Sequence, residues 1–300
     1  MTDTTGDDLD PAAFRAWLAA SAGGPETLDE ARARLDRVGL EIDVPEGCSV
    51  AQIQAGDVPA EGLTPASARD GRLLIFLHGG GYGLHSPRSM RHYAARLAQA
   101  AATSALVPDY RLAPEHPFPA AVEDAVTAYR WALDRLPAGR IALAGNSAGG
   151  GLALACVLSA RAQGLPRPAC LYLASPWADL AEGGPSYVAK AESDIFCTAP
   201  MLKMMAGEYL AGADARDPLA SPLFGDAGEL PPLLIHVGSE EILLSDSVSL
   251  AERAAHARVE VRLEVFPEML HDFPVFHRQL AVGRRAIREA GAWLAERLDR

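Results

Sequence analysis

The sequence predicts an α/β fold built on a mostly parallel sheet with helices on both faces. Short, continuous apolar runs alternate with helix-forming segments from about residue 70 to the end. That is how strands buried on both faces between crossover helices read. The 300 residues, 49% of them hydrophobic and 22% charged, suffice for one large packed core of this kind.

Taken in order, residues 10 to 40 read as helix. Phe14, Trp17 and Leu18 fall at i, i+3 and i+4, and a second charged segment runs from Thr27 to Val38. Residues 41 to 70 are punctuated by Pro and Gly and predict short, twisted edge strands. "RLLIFLHGGG" is then a strand ending in glycines, followed by the helix "SPRSMRHYAARLAQAA". "TSALVPDYRLAP" runs from strand into turn, and "AAVEDAVTAYRWALDRL" is an amphipathic helix. "RIALAGN" and "ACLYLASPW" are strands flanking a helix that begins near Ser147. "PPLLIHVGSEE" and "VEVRLEVFP" are two more, and a last helix spans about Arg278 to Arg297. One segment breaks the rhythm. Between Trp177 and Pro231 roughly fifty residues carry no strong strand, and a long insertion at a strand's carboxyl end commonly carries function, such as a lid.

Charge and cysteines exclude several function classes. A net charge of −12 gives no electrostatic reason to bind nucleic acid or an anionic membrane surface. Cys48, Cys156, Cys170 and Cys197 are scattered without a C-x-x-C pair, which fits neither a zinc site nor a disulfide framework. They read as single thiols in a reducing compartment. The opening "MTDTTGDDLD" lacks the layout of a signal peptide, and no apolar run is long enough to span a bilayer. The expectation is a soluble, cytoplasmic protein.

The chemistry concentrates around "RIALAGNSAGGGLALA", residues 140 to 155. Its glycines could cradle a phosphate, but a Walker A loop needs Lys and then Ser or Thr after its last glycine, where Gly151 and Leu152 stand. A dinucleotide fingerprint needs glycine where Ser147 stands, and belongs on the first strand of its unit. The alternative is the G-x-S-x-G nucleophile elbow, Gly145-Asn146-Ser147-Ala148-Gly149. A serine on a tight strand-to-helix turn needs small neighbours at positions ±2 so that strand and helix can pass closely. Upstream, "FLHGGGYGLHSP" sets three glycines after a strand, where backbone N–H groups can meet a developing oxyanion. His78, at the strand end, reads as a structural hydrogen-bonding histidine.

A nucleophilic serine needs a base, and the base needs an orienting acid. His236, His256, His271 and His277 follow Ser147. His236 falls within a strand, His256 within a helix and His277 at the start of the last helix. His271, in "PEMLHDFPVF", falls in a loop between the last strand and the last helix, and is the expected base. For the acid, "VGSEEILLSD" offers Glu240, Glu241 and Asp246.

The chain resembles the hormone-sensitive-lipase family of α/β-hydrolases, the bacterial carboxylesterases of family IV. The resemblance rests on His78 to Gly81, "DYRLAPEHPFPAA" (Asp109 to Ala121), "GNSAGG" and His271, in that order and spacing, and covers about residues 70 to 280. It implies an α/β-hydrolase fold, with a mostly parallel eight-stranded sheet and helices on both faces. One domain would span 1–300, with a helical cap from about 1–40 and 178–225. It further implies Ser147 as nucleophile, His271 as base, and oxyanion-hole N–H groups from Gly80, Gly81 and Ala148, with Gly79 shaping the loop. Two positions depart from the family. Asn146 replaces the usual Asp before the serine, and Glu241-Ile242-Leu243 replaces Asp-Pro-Leu, which aligns Glu241 with the acid and leaves Glu240 next.

The expected activity is hydrolysis of short- to medium-chain acyl esters through an acyl-enzyme, with no metal or organic cofactor. The cap stretch Phe196, Met201, Leu202, Met204, Met205 and Tyr209 is apolar and methionine-rich, suiting an adaptable pocket. Candidate substrate contacts are Gly79, Tyr82, Phe196, Met201, Met205 and Tyr209. The same triad could serve a lactone hydrolase or an N- or O-deacetylase. A non-catalytic small-molecule receptor on this fold is disfavoured by the presence of His271. The resemblance also suggests a homodimer through the last strand.

Overall fold

The computed structural model describes residues 8–21, 24 and 26–300. The opening segment read above for a signal peptide lies outside them over residues 1–7, as do residues 22, 23 and 25 of the expected cap. Among the described residues, β1 (Ser49–Ala55), β2 (Val58–Thr64), β3 (Leu73–Leu77), β4 (Ser104–Pro108), β5 (Ile141–Asn146), β6 (Cys170–Ala174), β7 (Leu233–Gly238) and β8 (Val261–Phe266) form one sheet. Their spatial order is β1-β2-β4-β3-β5-β6-β7-β8. β1 pairs antiparallel with β2 and β2 antiparallel with β4; every later pairing is parallel.

Alternation along the central strands explains the layers. Leu74 and Phe76 of β3, Ala142 and Ala144 of β5, and Tyr172 of β6 join one buried cluster. That cluster includes α3 (Pro87–Ala100) and α9 (Ala281–Leu298). The intervening Ile75, Leu77, Leu143, Leu171 and Leu173 point the other way. They pack with α4 (Ala120–Leu133), α5 (Ala148–Ala162) and α8 (Leu244–His256). Both side-chain sets of each strand are therefore dry, and the strands read as continuous apolar runs.

The amino-terminal helices are α1 (Pro11–Ala20) and α2 (Leu28–Leu40). Thr27 and Glu30 close a capping box at the start of α2, as Ser86 and Ser89 do for α3. A third cluster buries Phe14 of α1 against Phe266 at the end of β8 and against Met269, Leu270 and Phe273 of the segment that follows and carries His271. The insertion after β6 contains α6 (Ser186–Ala189) and α7 (Ala199–Leu210) and no strand. The last helix starts later than its periodicity predicts. Pro274 lies in a 3₁₀ turn over Phe273–Phe276, so His277 follows that turn instead of heading α9. Among the described residues, no helix is long and apolar enough to cross a membrane.

Candidate active site

The carboxyl ends of β3, β5, β7 and β8 open onto the loops that build the site, the usual place for a site on a mostly parallel sheet. At the end of β5 the chain must turn from strand into α5 within one residue. Ser147 takes φ 51° and ψ −124°, a conformation that a residue with a side chain adopts only when its surroundings force it. The surroundings are fixed by crowding. A Cβ on Gly145 would lie 2.2 Å from the Gly149 carbonyl oxygen, and one on Gly149 would lie 2.0 Å from that of Leu77. The elbow is further tied to β6, because Ser147 N–H donates to Ala174 O and Trp177 N–H donates to Ser147 O, both at 2.9 Å.

Ser147 Oγ lies 2.9 Å from His271 Nε2, and His271 Nδ1 lies 3.0 Å from Glu241 Oε2. An ionised carboxylate only accepts, so Nδ1 carries the hydrogen and Nε2 is left to accept from the serine hydroxyl. Glu241 is fully buried. Its other oxygen accepts from the Gly238 N–H and, at 2.7 Å, from Ser175 Oγ. Of the other two acid candidates, Glu240 bonds Lys190 at 3.2 Å, and Asp246 Oδ2 accepts from the N–H groups of Ala178 and Asp179. The structure therefore brings together Ser147, His271 and Glu241, and not Glu240 or Asp246.

The glycine loop faces the elbow. Gly79 N–H donates to Asn146 Oδ1 at 2.9 Å, which fixes the loop to the residue before the serine. Gly80 and Gly81 have φ of 107° and 61°, and among the described residues no backbone carbonyl accepts from their N–H groups. Ala148 opens α5, where a helix has no carbonyl of its own to offer its first N–H groups. His78 stacks on Tyr110 with ring centroids 4.3 Å apart, and its Nδ1 lies 2.9 Å from Gly79 O. Burial pushes its imidazole down to about 3, so it is neutral and supports the loop.

The candidate pocket residues divide. Phe196 stacks on His271 with centroids 6.0 Å apart and is 38% exposed. Met201 and Met205 are half-buried, and a Cβ on Gly81 would strike the Met205 sulfur at 2.1 Å, so this side chain covers the glycine loop. Tyr82 and Tyr209 depart from expectation. They stack face to face, 3.7 Å between centroids and 6° between planes, and neither has accessible surface. They form a closed joint between the glycine loop and α7 rather than an open pocket wall. Both rings belong to the main buried cluster, with Trp177 6.2 Å from Tyr82 and Phe118 5.7 Å from Tyr209 between centroids.

Three groups around this site were assigned no role from the sequence. Ser175, at φ 46° just past β6, donates to Glu241. Asp194 of the insertion accepts from Ile242 N–H at 2.9 Å and so steadies the segment after Glu241. Asp272 accepts from Asn146 Nδ2 at 2.7 Å. The position of Ser175 at a strand's carboxyl end was the available signal for the first; the other two depend on folding alone. Elsewhere, His236, Glu264 and Glu289 bring one ligand atom each within 4.8 Å of one another. Arg262 already donates to Glu264 at 2.9 Å, so that carboxylate has a cationic partner.

A doubly covered, mostly parallel sheet with a serine elbow, a histidine loop and an acid at successive strand ends defines an α/β hydrolase. Residues 74–275 match the family described by the α/β-hydrolase fold, and the chain belongs to it, as a hydrolase of the hormone-sensitive-lipase type. It is 49% identical over 243 residues to an acetyl-hydrolase of Streptomyces hygroscopicus, covering 81% of each chain. It is 33% identical to an esterase of Acinetobacter venetianus over 74% of each. Among solved structures, a hormone-sensitive lipase from a metagenome library superimposes with a TM-score of 0.94 at 38% identity, covering 98% of this chain and 100% of that one. The esterase EstE5, soaked with p-nitrophenyl butyrate, does so at 0.91 and 40% identity, over 97% and 99%.

Proposed function

We propose that this protein is a serine carboxylesterase that hydrolyses short- to medium-chain acyl esters through an acyl-enzyme. The observation that carries the reading is the row of hydrogen bonds from Glu241 through His271 to Ser147, 3.0 and 2.9 Å long, at an elbow where the serine is forced outward. His271 takes the hydroxyl proton as Ser147 Oγ bonds to the acyl carbon. Glu241 holds the imidazole tautomer and favours the imidazolium. The N–H groups of Gly80, Gly81 and Ala148 meet the oxyanion, each worth about 3 kcal/mol of transition-state stabilisation. The alcohol leaves with the proton from His271, and water then repeats the sequence on the acyl-enzyme. The relatives named esterase and acetyl-hydrolase support the substrate class.

The amino-terminal helices and residues 178–225 act as the cap. Arg15 of α1 donates to Ser193 O at 2.6 Å. Arg32 of α2 donates to Gly83 O beside the glycine loop at 2.9 Å. Phe196, Met201 and Met205 then form the acyl or alcohol wall, while the Tyr82–Tyr209 joint closes the space behind Gly81 and limits chain length. A panel of p-nitrophenyl esters, lactones and N-acetyl substrates compared by kcat/KM tests the class. Esters from acetate to butyrate should lead, and Ser147→Ala should lose more than about 10³-fold with every one of them. Lactones or N-acetyl compounds ahead by tenfold would overturn the substrate assignment. Retention of activity in Ser147→Ala would overturn the mechanism.

A further inference from the structure

We propose that Asp272 is a positioning residue for the reaction: held by Asn146, its carboxylate stands at the Nε2 side of His271 and stabilises the imidazolium that forms when the serine proton is taken. The proposal rests on His271 being the base. Asp272 Oδ2 lies 3.7 Å from His271 Nε2 and accepts from Asn146 Nδ2 at 2.7 Å. Asn146 in turn accepts from Gly79 N–H through Oδ1. One amide side chain therefore spans from the glycine loop to the carboxylate and sets where that charge sits. The Asp272 backbone N–H donates to Ser175 Oγ at 3.2 Å, and Ser175 donates to Glu241, so both carboxylates share a fixed frame.

The two acids flank the ring differently. Glu241 holds Nδ1 by a hydrogen bond, whereas Asp272 acts across space on Nε2, the atom that exchanges the proton. When Ser147 Oγ bonds to the acyl carbon, its proton passes to Nε2 and the ring becomes cationic. That proton later goes to the leaving alkoxide oxygen, and Asp272 neither gains nor loses one. A nearby anion in a dry site stabilises such a transient cation strongly. The titratable groups facing this pair are Glu241 after β7, Asp194 and Cys197 of the insertion, Tyr93 of α3 and Tyr172 of β6. Burial disfavours the charged ring, but the carboxylates of Asp272 and Glu241 outweigh it and raise His271 above its ordinary range. Burial raises the Asp272 carboxyl as well, against the pull of His271 and Asn146.

The sign of the effect follows. The anion makes His271 a stronger base, so removing it leaves the ring deprotonated to lower pH. Asp272→Asn keeps the shape and a hydrogen-bonding partner for Asn146 but removes the charge. The acid limb of kcat/KM for p-nitrophenyl butyrate should move to lower pH by about one unit, a tenfold change in proton affinity. The melting temperature should change little. A folded Asp272→Asn protein whose acid limb stays within 0.2 unit of wild type would overturn the proposal. If that variant fails to fold, the exchange Asn146→Asp with Asp272→Asn rebuilds the buried pair with no carboxylate at position 272. A wild-type acid limb in the exchange variant would equally overturn it, since only a structural pair would have been restored. His271→Ala separates the two readings: if it stays active, the base assignment fails; if it is dead while the limb of Asp272→Asn is unmoved, only the role of Asp272 fails.

Discussion

Glu240 and Glu241 are adjacent in sequence and chemically alike, yet folding sends them in opposite directions. Glu241 enters a site with no accessible surface and meets His271, while Glu240 turns toward Lys190 and Ser239. Glu241→Ala should lower kcat by between about 10²- and 10⁴-fold, because the imidazole loses both its tautomer and its counter-charge. Glu240→Ala, which removes one part-exposed ion pair, should stay within about twofold. Steady-state kinetics on the two variants decides the assignment, and the reverse ranking would refute it. At this scale the sequence was unevenly informative. Ser147 and His271 were legible because each sits in a local pattern with its own geometry. The partner of Asn146 was not, because Asp272 is 126 residues away and only the sheet brings them together. Tyr82 and Tyr209 were placed at the pocket by their neighbours in sequence, but folding buries both in the main core cluster with Trp177 and Phe118.

At the scale of elements, the strand-to-helix passage at β5–α5 works only without side chains. Gly149→Ala would drive a methyl group into the Leu77 and His78 carbonyl oxygens at 2.0 and 2.4 Å. Backbone cannot step aside as a side chain can, so the variant should lose about 1–3 kcal/mol or more, together with the elbow. Thermal melting and fluorophosphonate labelling of the serine should fall together. Melting and labelling both at wild-type level would show that the crossing is looser than described. The central strands were largely legible at this scale, since apolar runs buried on both faces announce themselves; their spatial order was not, because it depends on pairings between distant segments. The late start of α9 was not, because the 3₁₀ turn around Pro274 continues an apolar pattern in another helical form.

For the molecule as a whole, the amino-terminal segment packs from outside the sheet onto the loop that carries His271. Phe14 is buried on the end of β8 and the loop that follows, against Phe266, Leu270 and Phe273 and in edge contact with Phe276 at 5.2 Å. Phe276 also meets Phe196, which covers His271. Phe14→Ala should cost about 3–5 kcal/mol through the cavity it leaves. It should also lower kcat more than it changes KM, because the loop carrying the base is loosened. Denaturant melts with parallel kinetics check both halves; a stability loss without a kcat change would confine Phe14 to packing. Periodicity foretold the helix, but nothing in residues 10 to 40 told which loop they would cover.

The close passage at the elbow also sorts the glycines by what mutation can do with them. At Gly139 the backbone has ordinary torsions and an added Cβ would meet nothing within 4 Å, so a change there is nearly free. At Gly145 and Gly149 every other residue type collides with backbone. A library that randomised glycine codons uniformly would return survivors at the first position and almost none at the other two. If Met201 and Met205 line the pocket as proposed, variation toward new substrates runs through these half-buried side chains of α7 and not through the turn that presents the serine.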